Sequence, residues 1–124
     1  MSYATRQRNV ILQILQQAQR PLTPQEIREQ AQQDGAGMGL ATVYRPLKTF
    51  MADGLIAAVE IPGVSPRYEP TERGHHHHFI CESCQQVFDL QGCVEHLERL
   101  APPDFRIQRH DIILYGVCAG CAQV

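Results

Sequence analysis

The 124-residue sequence has no long apolar run and no large surplus of either charge. No segment approaches the ~20 apolar residues that a membrane span requires, so we expect no contact with a membrane. The opening stretch, MSYATRQRNVILQIL, interleaves basic and polar residues and lacks a small-residue cleavage site. It therefore predicts neither a signal peptide nor a transit peptide, and we expect a cytoplasmic protein. A net charge of −2 does not by itself indicate nucleic-acid binding.

Charged residues and the residue types that bind metals are unevenly distributed along the chain. Residues 1–60 hold six Lys or Arg and five Asp or Glu, whereas residues 61–124 hold five and eight. The second half also contains all five cysteines and all six histidines. An acidic excess in that half is expected if it binds cations.

The first half predicts three helices. Apolar residues at helical spacing indicate an amphipathic helix over 6–19. "TPQE" at 23–26 combines an N-cap Thr, a Pro at the first helical position and a capping-box Glu, so a second helix should run over 24–34. A third is predicted over 40–54, where Pro46 should bend the helix or restrict it to a short first turn.

A strand over 55–61, a Pro-Gly turn and a strand over 67–69 follow the helices. Three helices and a hairpin are the layout of a winged helix-turn-helix, which we predict as a domain over 1–70. Residues 71–124 predict a small α/β domain, with a hinge at 70–74. Its expected elements are strands over 75–80 and 86–90, a short helix over 94–100 and a β-rich segment over 105–117. A unit of this size commonly needs a structural metal. The predicted fold class is therefore α+β.

Four cysteines form two Cys-x-x-Cys pairs separated by 33 residues. Two such pairs brought together make the closed tetrahedral thiolate site that is typical of structural zinc. A thioredoxin-like redox motif or a pair of disulfides explains two matching pairs less well in a chain without an export signal. The sequence thus predicts a Zn²⁺ site of Cys81, Cys84, Cys118 and Cys121. Cys93 is interpreted as a spare buried thiol.

Four consecutive histidines, 75–78, precede the first Cys pair. Alternate side chains of a strand point to opposite faces, so His76 and His78 should face one way and His75 and His77 the other. One ion cannot collect all four, which predicts two sites that each need ligands from elsewhere. Candidate ligands are Glu69, Asp89, Glu95, His96 and His110. The alternative is that these are solvated polar residues; an expression tag is not expected in an internal run of four.

Side chains outside the apolar stripe of the third helix suit contacts with DNA phosphates and bases, namely Thr42, Tyr44, Arg45 and Lys48. Arg6 and Arg8 of the first helix are further candidates for contacts with the backbone or the minor groove. The alternative is a protein-binding helix-turn-helix, since the charge surplus of residues 1–60 is only +1.

The chain resembles the ferric uptake regulator (Fur) family of metal-responsive repressors over nearly its whole length. The resemblance rests on "TRQR", "GLATVYRPLKTFMADGLI", "HHHHFICESC" and "HDIILYGVCAGC", in that order. It implies a homodimer formed through the second domain. It also implies a regulatory metal that favours binding to palindromic AT-rich DNA, and no enzymatic activity or small-molecule substrate.

Carried over by residue, the resemblance implies three metal sites. The structural zinc ligands match the four paired cysteines. A regulatory site matches Glu69, His76 and His78, with Asp89 as an additional acidic ligand. A second site of the dimerisation domain matches His75, His77, Glu95 and His110. Glu95 matches only if a one-residue gap is placed in the comparison with the family pattern, so His96 is an alternative ligand.

Three positions depart from the family patterns. Pro21 stands where iron and peroxide sensors place a histidine, whereas Thr71 and Ala57 stand where zinc sensors often have Cys and Asp. The short N-terminus and the histidine run are more similar to the zinc uptake regulators, so Zn²⁺ is preferred to Fe²⁺ as effector, and a peroxide sensor is the least favoured.

Two functions other than DNA-binding regulation are the alternatives. One is a deaminase-type zinc enzyme, but the His-x-Glu motif that such an enzyme requires is lacking here. The other is a metal-buffering or interaction module without operator binding.

Overall fold

The computed structural model describes residues 2–71 and 76–123. Two compact units are distinguished, Met1–Gly74 and His75–Val124. Within the described residues, no helix is both long and apolar enough to cross a membrane.

Three helices form the first unit's core: α1 (Tyr3–Gln17), α2 (Pro24–Gln33) and α3 (Leu40–Ala52). Each contributes an apolar stripe, and the stripes meet in one cluster because i, i+3 and i+4 side chains share a helix face. The fully buried members of this cluster are Ile11, Leu15, Ile27, Ala31 and Val43, with Leu47 beside them.

The N-terminus of α2 is fixed by a reciprocal capping box, as the sequence predicts. Glu26 N–H donates to Thr23 Oγ1 at 3.1 Å, and Thr23 N–H donates to Glu26 Oε1 at 2.9 Å. Arg20 also donates to the Glu26 carboxylate at 2.8 Å. Burial raises the pKa of Glu26, but the hydrogen bonds from Thr23 and Arg20 outweigh it and hold the pKa below its usual value. The cap therefore stays ionised at neutral pH.

Pro46 lies inside α3 without ending it, since the helix is continuous from Leu40 to Ala52. The predicted restriction to a short first turn is therefore wrong. Pro46 is buried with Val43, Leu47 and Phe50 on the helix face that packs against the core. We attribute the tolerance to this packing, which offsets the one backbone hydrogen bond that the proline cannot make.

The wing is a two-stranded antiparallel hairpin of β1 (Ile56–Val59) and β2 (Arg67–Pro70). Its register runs from Ile56 opposite Pro70 to Val59 opposite Arg67, and Gly63 takes a left-handed conformation in the connection, with φ of 84°. A further bridge pairs Leu22 with Tyr68 through backbone hydrogen bonds of 2.9 and 3.0 Å. This bridge ties the wing to the segment before α2 and completes the winged helix-turn-helix.

The second unit contains a three-stranded sheet in the order β4-β3-β5. Its strands are β3 (His77–Cys81), β4 (Val87–Leu90) and β5 (Ile113–Gly116), followed by the short helix α4 (Ala119–Ala122). The central strand β3 pairs antiparallel with β4 and parallel with β5. His78 thereby lies opposite Asp89 on one side and opposite Ile113 on the other.

Two predictions for the second unit are wrong in extent. The expected helix over 94–100 is only a 3-10 helix, Leu97–Leu100, preceded by His96 in a left-handed conformation with φ of 62°. The expected β-rich segment over 105–117 is a strand only at Ile113–Gly116, where it pairs with the last four residues of β3. Pro102 and Pro103 lack backbone donors, and Asp104 has a positive φ of 69°, so neither extended pairing nor a helix continues there.

Candidate metal centres and DNA-contacting helix

The two Cys-x-x-Cys pairs meet in space. Cys81 ends β3, Cys84 lies in the turn that follows, and Cys118 and Cys121 lie at and within α4. One ligand atom of each of these four residues lies within 4.8 Å of all the others, and the Cys84 and Cys118 sulfurs are 3.9 Å apart. A tetrahedral site with ~2.3 Å Zn–S bonds has S···S edges of about 3.8 Å. The cluster thus has the dimensions of a structural zinc site.

Backbone donors favour ionised sulfur at the centre of this cluster. The N–H groups of Cys118 and Cys84 each donate to Cys81 Sγ at 3.4 Å, and they lower the pKa of the Cys81 thiol to about 6. Hydrogen bonds with the neighbouring Cys118 and Cys81 sulfurs raise the pKa of Cys121 to about 12, with burial and the charge of Cys118 acting in the same direction. Four thiolates at these distances need a cation, so the residues fit the metal.

A second cluster lies on one face of the sheet. His76, immediately before β3, and His78 within it point towards Asp89 of β4, with Nε2–Oδ1 distances of 3.7 and 3.6 Å. The two imidazole rings are 4.9 Å apart and nearly perpendicular. The side chain of Asp89 is only 3% exposed. The structure therefore brings together three of the four residues predicted for the regulatory site.

Glu69, the fourth residue predicted for this site, belongs to the first unit. It is a buried residue of β2 and lies opposite Ala57 of β1.

A third cluster occupies the opposite face of β3. The side chain of His77 is buried, and its Nε2 lies 3.2 Å from Cys93 Sγ, which in turn lies 3.0 Å from His110 Nε2. Ile112 N–H donates to the Nδ1 of His77 at 3.0 Å. The alternation predicted for the histidine run thus separates His77 from His76 and His78.

Two predictions made for the third cluster differ from the structure. Glu95 is not brought to His77 and His110, because it follows the loop outward; its side chain is 91% exposed, and its carboxylate lies 4.0 Å from His96. Cys93 is exposed rather than buried and lies between the two histidines. His75, the remaining residue predicted for this site, lies outside the described residues.

Cys93 is the residue that the sequence interpretation missed. It stands outside both Cys-x-x-Cys pairs, and no local spacing connects it with a histidine 16 or 17 residues away. The available signal was the odd number of cysteines in a chain half that is also rich in histidine.

The predicted DNA-contacting side chains lie on two helices of the first unit. Tyr44, Arg45 and Lys48 are exposed on α3, with Thr42 half-buried beside them. Val43 and Leu47 of the same helix are buried, so the polar residues occupy the face turned away from the core. Arg6 and Arg8 are exposed on α1. A helix with an apolar inner face and a cationic, aromatic outer face is suited to lie in a major groove.

The family model described as "Ferric uptake regulator family" matches residues 2–115. The chain belongs to this family. Its winged helix-turn-helix and its α/β sheet with a cysteine cluster are the Fur fold, and the chain is a metal-responsive transcriptional regulator. Fur-family regulators bind DNA and are typically dimeric.

Proteins similar to this chain are named for different effectors. A peroxide-responsive repressor of Staphylococcus aureus is 32% identical over 120 residues, covering 94% of this chain and 80% of the repressor. The ferric uptake regulator of Vibrio cholerae has a TM-score of 0.73 at 27% identity, covering 95% of this chain and 91% of its own. A zinc-bound manganese uptake regulator has a TM-score of 0.78 at 28% identity, with 95% and 89% covered. Likeness alone therefore does not select the effector metal of this Fur-family chain.

Proposed function

We propose that this Fur-family chain is a repressor of metal-homeostasis genes that binds palindromic AT-rich DNA as a homodimer when a divalent metal fills the regulatory site. The regulatory ligands are Glu69, His76, His78 and Asp89, with Zn²⁺ as the first candidate effector and Fe²⁺ as the alternative. The observation that carries the proposal is the convergence of two imidazoles on one buried carboxylate. Three protein donors of this kind suit a borderline cation.

The ligand types of the regulatory site are compatible with both candidate effectors, Zn²⁺ and Fe²⁺. Imidazole binds Zn²⁺ and Fe²⁺ alike, and the generally greater affinity of Zn²⁺ does not decide which ion is present in a cell. Asp89 contributes a hard oxygen donor, which is compatible with either ion. The cysteine cluster of the second unit is proposed to hold Zn²⁺ permanently, because four thiolates close the coordination sphere and leave no open position for chemistry. The chain is accordingly proposed to be a regulator and not an enzyme.

The proposed mechanism couples the metal to the two units. We propose that a metal held by His76, His78 and Asp89 also binds Glu69 of the wing and thereby favours the DNA-binding arrangement of the dimer. A coupling of about 1–3 kcal/mol, or roughly 5–150-fold in operator affinity, is typical for such linkage.

The DNA-binding step is assigned to α3. Arg45 and Lys48 are proposed to neutralise phosphates, and Tyr44 and Thr42 to contact base edges in the major groove. Arg6 and Arg8 add contacts with the backbone or the minor groove. Because operator DNA lies in the cytoplasm of a bacterial cell, we propose the cytoplasm as the site of action.

The experiment is a gel shift on palindromic AT-rich DNA with the full chain at buffered free Zn²⁺, free Fe²⁺ or chelator. We expect metal-dependent binding by the wild type and its loss in the His76→Ala/His78→Ala double variant, with zinc in the cysteine cluster retained. His96→Ala is the matched control, since His96 is a half-exposed histidine outside the cluster. Unchanged metal dependence in the double variant would show the regulatory assignment to be wrong.

The same measurement separates the competing functions. The effector is the ion whose threshold for operator binding falls within the free concentration that a cell maintains for that ion, because the higher affinity of Zn²⁺ lowers the zinc threshold in either case. A chain that binds metal but shifts no palindromic DNA under any condition is a metal-buffering or interaction module.

A further inference from the structure

We propose that Cys93, and not Glu95, is the third protein ligand of the second metal site, which is then a site of two histidines and one thiolate with His77 and His110. This inference rests on the proposed function only in taking the second unit to bind a metal in addition to its structural zinc. The ligand class follows from the donors: a borderline-soft divalent cation of the Zn²⁺ type.

The distances between the three donors are close to those of a metal site. With a Zn–S bond of ~2.3 Å and a Zn–N bond of ~2.0 Å, a tetrahedral site has an S···N edge of about 3.5 Å. The observed S···N distances are 3.2 Å to His77 and 3.0 Å to His110. An opening of a few tenths of an ångström per edge admits the ion. All three donor atoms lie within 4.8 Å of one another.

The three residues reach the cluster from different parts of the second unit. β3 holds His77 on the buried face of the sheet, where its side chain has little freedom. Cys93 comes from the loop after β4, and His110 from the segment before β5. Cys93 is exposed, so solvent reaches the cluster at this residue. Such a site can exchange its metal, unlike the closed cluster of four cysteines.

The hydrogen bond from Ile112 N–H to His77 Nδ1 fixes the tautomer of the His77 ring before a metal binds. A neutral ring that accepts at Nδ1 carries its proton at Nε2, which here points at Cys93 Sγ. Coordination through Nε2 moves the ring proton to Nδ1, releases the thiol proton to solvent and ends the contact with Ile112. The amide of Ile112, one residue before β5, is therefore a local reporter of loading.

Replacing a carboxylate by a thiolate changes which ions the site prefers. Carboxylates suit Mg²⁺, Ca²⁺ and Mn²⁺, whereas thiolate and imidazole together suit Zn²⁺. A site built on Glu95 would accept hard ions more readily than one built on Cys93. The second site of this chain is consequently expected to discriminate against Mn²⁺.

The test uses the full chain carrying one equivalent of Zn²⁺ in the Cys81 cluster, titrated with Co²⁺. Cobalt bound to sulfur gives an intense thiolate-to-metal charge-transfer absorption in the near ultraviolet, which histidine and carboxylate ligands do not. We expect this band in the wild type and in Glu95→Gln and His96→Gln, and its complete loss in Cys93→Ser. Loading should also shift the Ile112 amide resonance in the wild type.

Released zinc is measured in parallel, because cobalt that replaced zinc in the cluster of four cysteines would also give a thiolate band. A Cys93→His variant should keep the cobalt stoichiometry of the wild type without the band. The assignment is overturned if the wild type gives no band, if Cys93→Ser keeps it, or if the band grows only as zinc is released. Operator binding by Cys93→Ser, assayed separately, distinguishes this failure from failure of the repressor proposal.

Discussion

Asp89 is a carboxylate held between two imidazoles with its side chain only 3% exposed. A buried carboxylate is costly unless positive charge compensates it, and a divalent cation on His76 and His78 supplies that charge. Asp89→Asn keeps the shape and removes the charge. We expect at least about a tenfold loss of divalent-metal affinity at this cluster, since even outer ligands of metal sites act on that scale.

Competition with a chromophoric chelator measures this affinity on zinc-loaded protein. Asp111→Asn is the control, because Asp111 is an exposed carboxylate of the same unit. Equal affinities of the Asp89 and Asp111 variants would contradict a role for Asp89 as a ligand.

Single residues also show where sequence reasoning succeeds and where it stops. The period of two along a strand is a local property, so the separation of His77 from His76 and His78 could be predicted without coordinates. Cys93 and Glu95 are two residues apart, and only the path of an irregular loop decides which of them turns towards His77. Loop paths are set by non-local packing, for which the sequence of this segment carries no periodic signal.

The cap of α2 is the element-scale feature with the clearest energetic consequence. Thr23→Ala removes the side-chain acceptor of Glu26 N–H and should destabilise the first unit by about 1 kcal/mol. Urea unfolding followed by helical circular dichroism measures this, because α1, α2 and α3 all belong to the first unit.

Thr49→Ala provides the matched comparison within α3. Thr49 is exposed, and its hydroxyl makes only a 3.4 Å contact with the Arg45 carbonyl, so its loss should be neutral or slightly stabilising through helix propensity. Equal destabilisation by the two Thr→Ala changes would show that the cap hydrogen bond contributes nothing specific.

Elements with local start and stop signals are those that the sequence predicts well. The "TPQE" signature predicts the start of α2 at Pro24, where the structure has it, and the Pro62-Gly63 turn lies within the observed hairpin connection. The segments at 94–100 and 105–112 have helical and β-rich composition, yet neither forms the predicted element in full. The part that does form a strand pairs with β3, which is distant in the sequence, so its extent is set by a tertiary contact that local composition does not encode.

At the scale of the whole molecule, the two units differ in how much apolar surface they bury. In the described residues of the second unit, the buried apolar residues are Ile80, Cys81 and Val87, far fewer than in the first. Several large apolar side chains of this unit are exposed: Val94, Leu100, Phe105, Ile107, Leu114, Tyr115 and Val117. A unit of this size with so small a core needs metals or a partner, which supports the proposed homodimer.

Leu114→Glu tests this surface. The side chain of Leu114 is 48% exposed on β5, and a carboxylate there should shift the chain from dimer to monomer in sedimentation or light-scattering measurements. Leu55→Glu is a matched control at 47% exposure in the first unit and should leave the dimer intact. Dimers of equal strength in both variants would place the subunit contact elsewhere.

The central strand β3 carries a residue of all three clusters within five positions: His77, His78 and Cys81. A shift of one residue in a strand turns every later side chain to the opposite face. One residue inserted or deleted at the start of this strand would therefore displace a member of all three ligand sets at once. Metal preference in this chain can diverge by exchanging side chains at fixed positions, but not by changing the length of the segment that holds them.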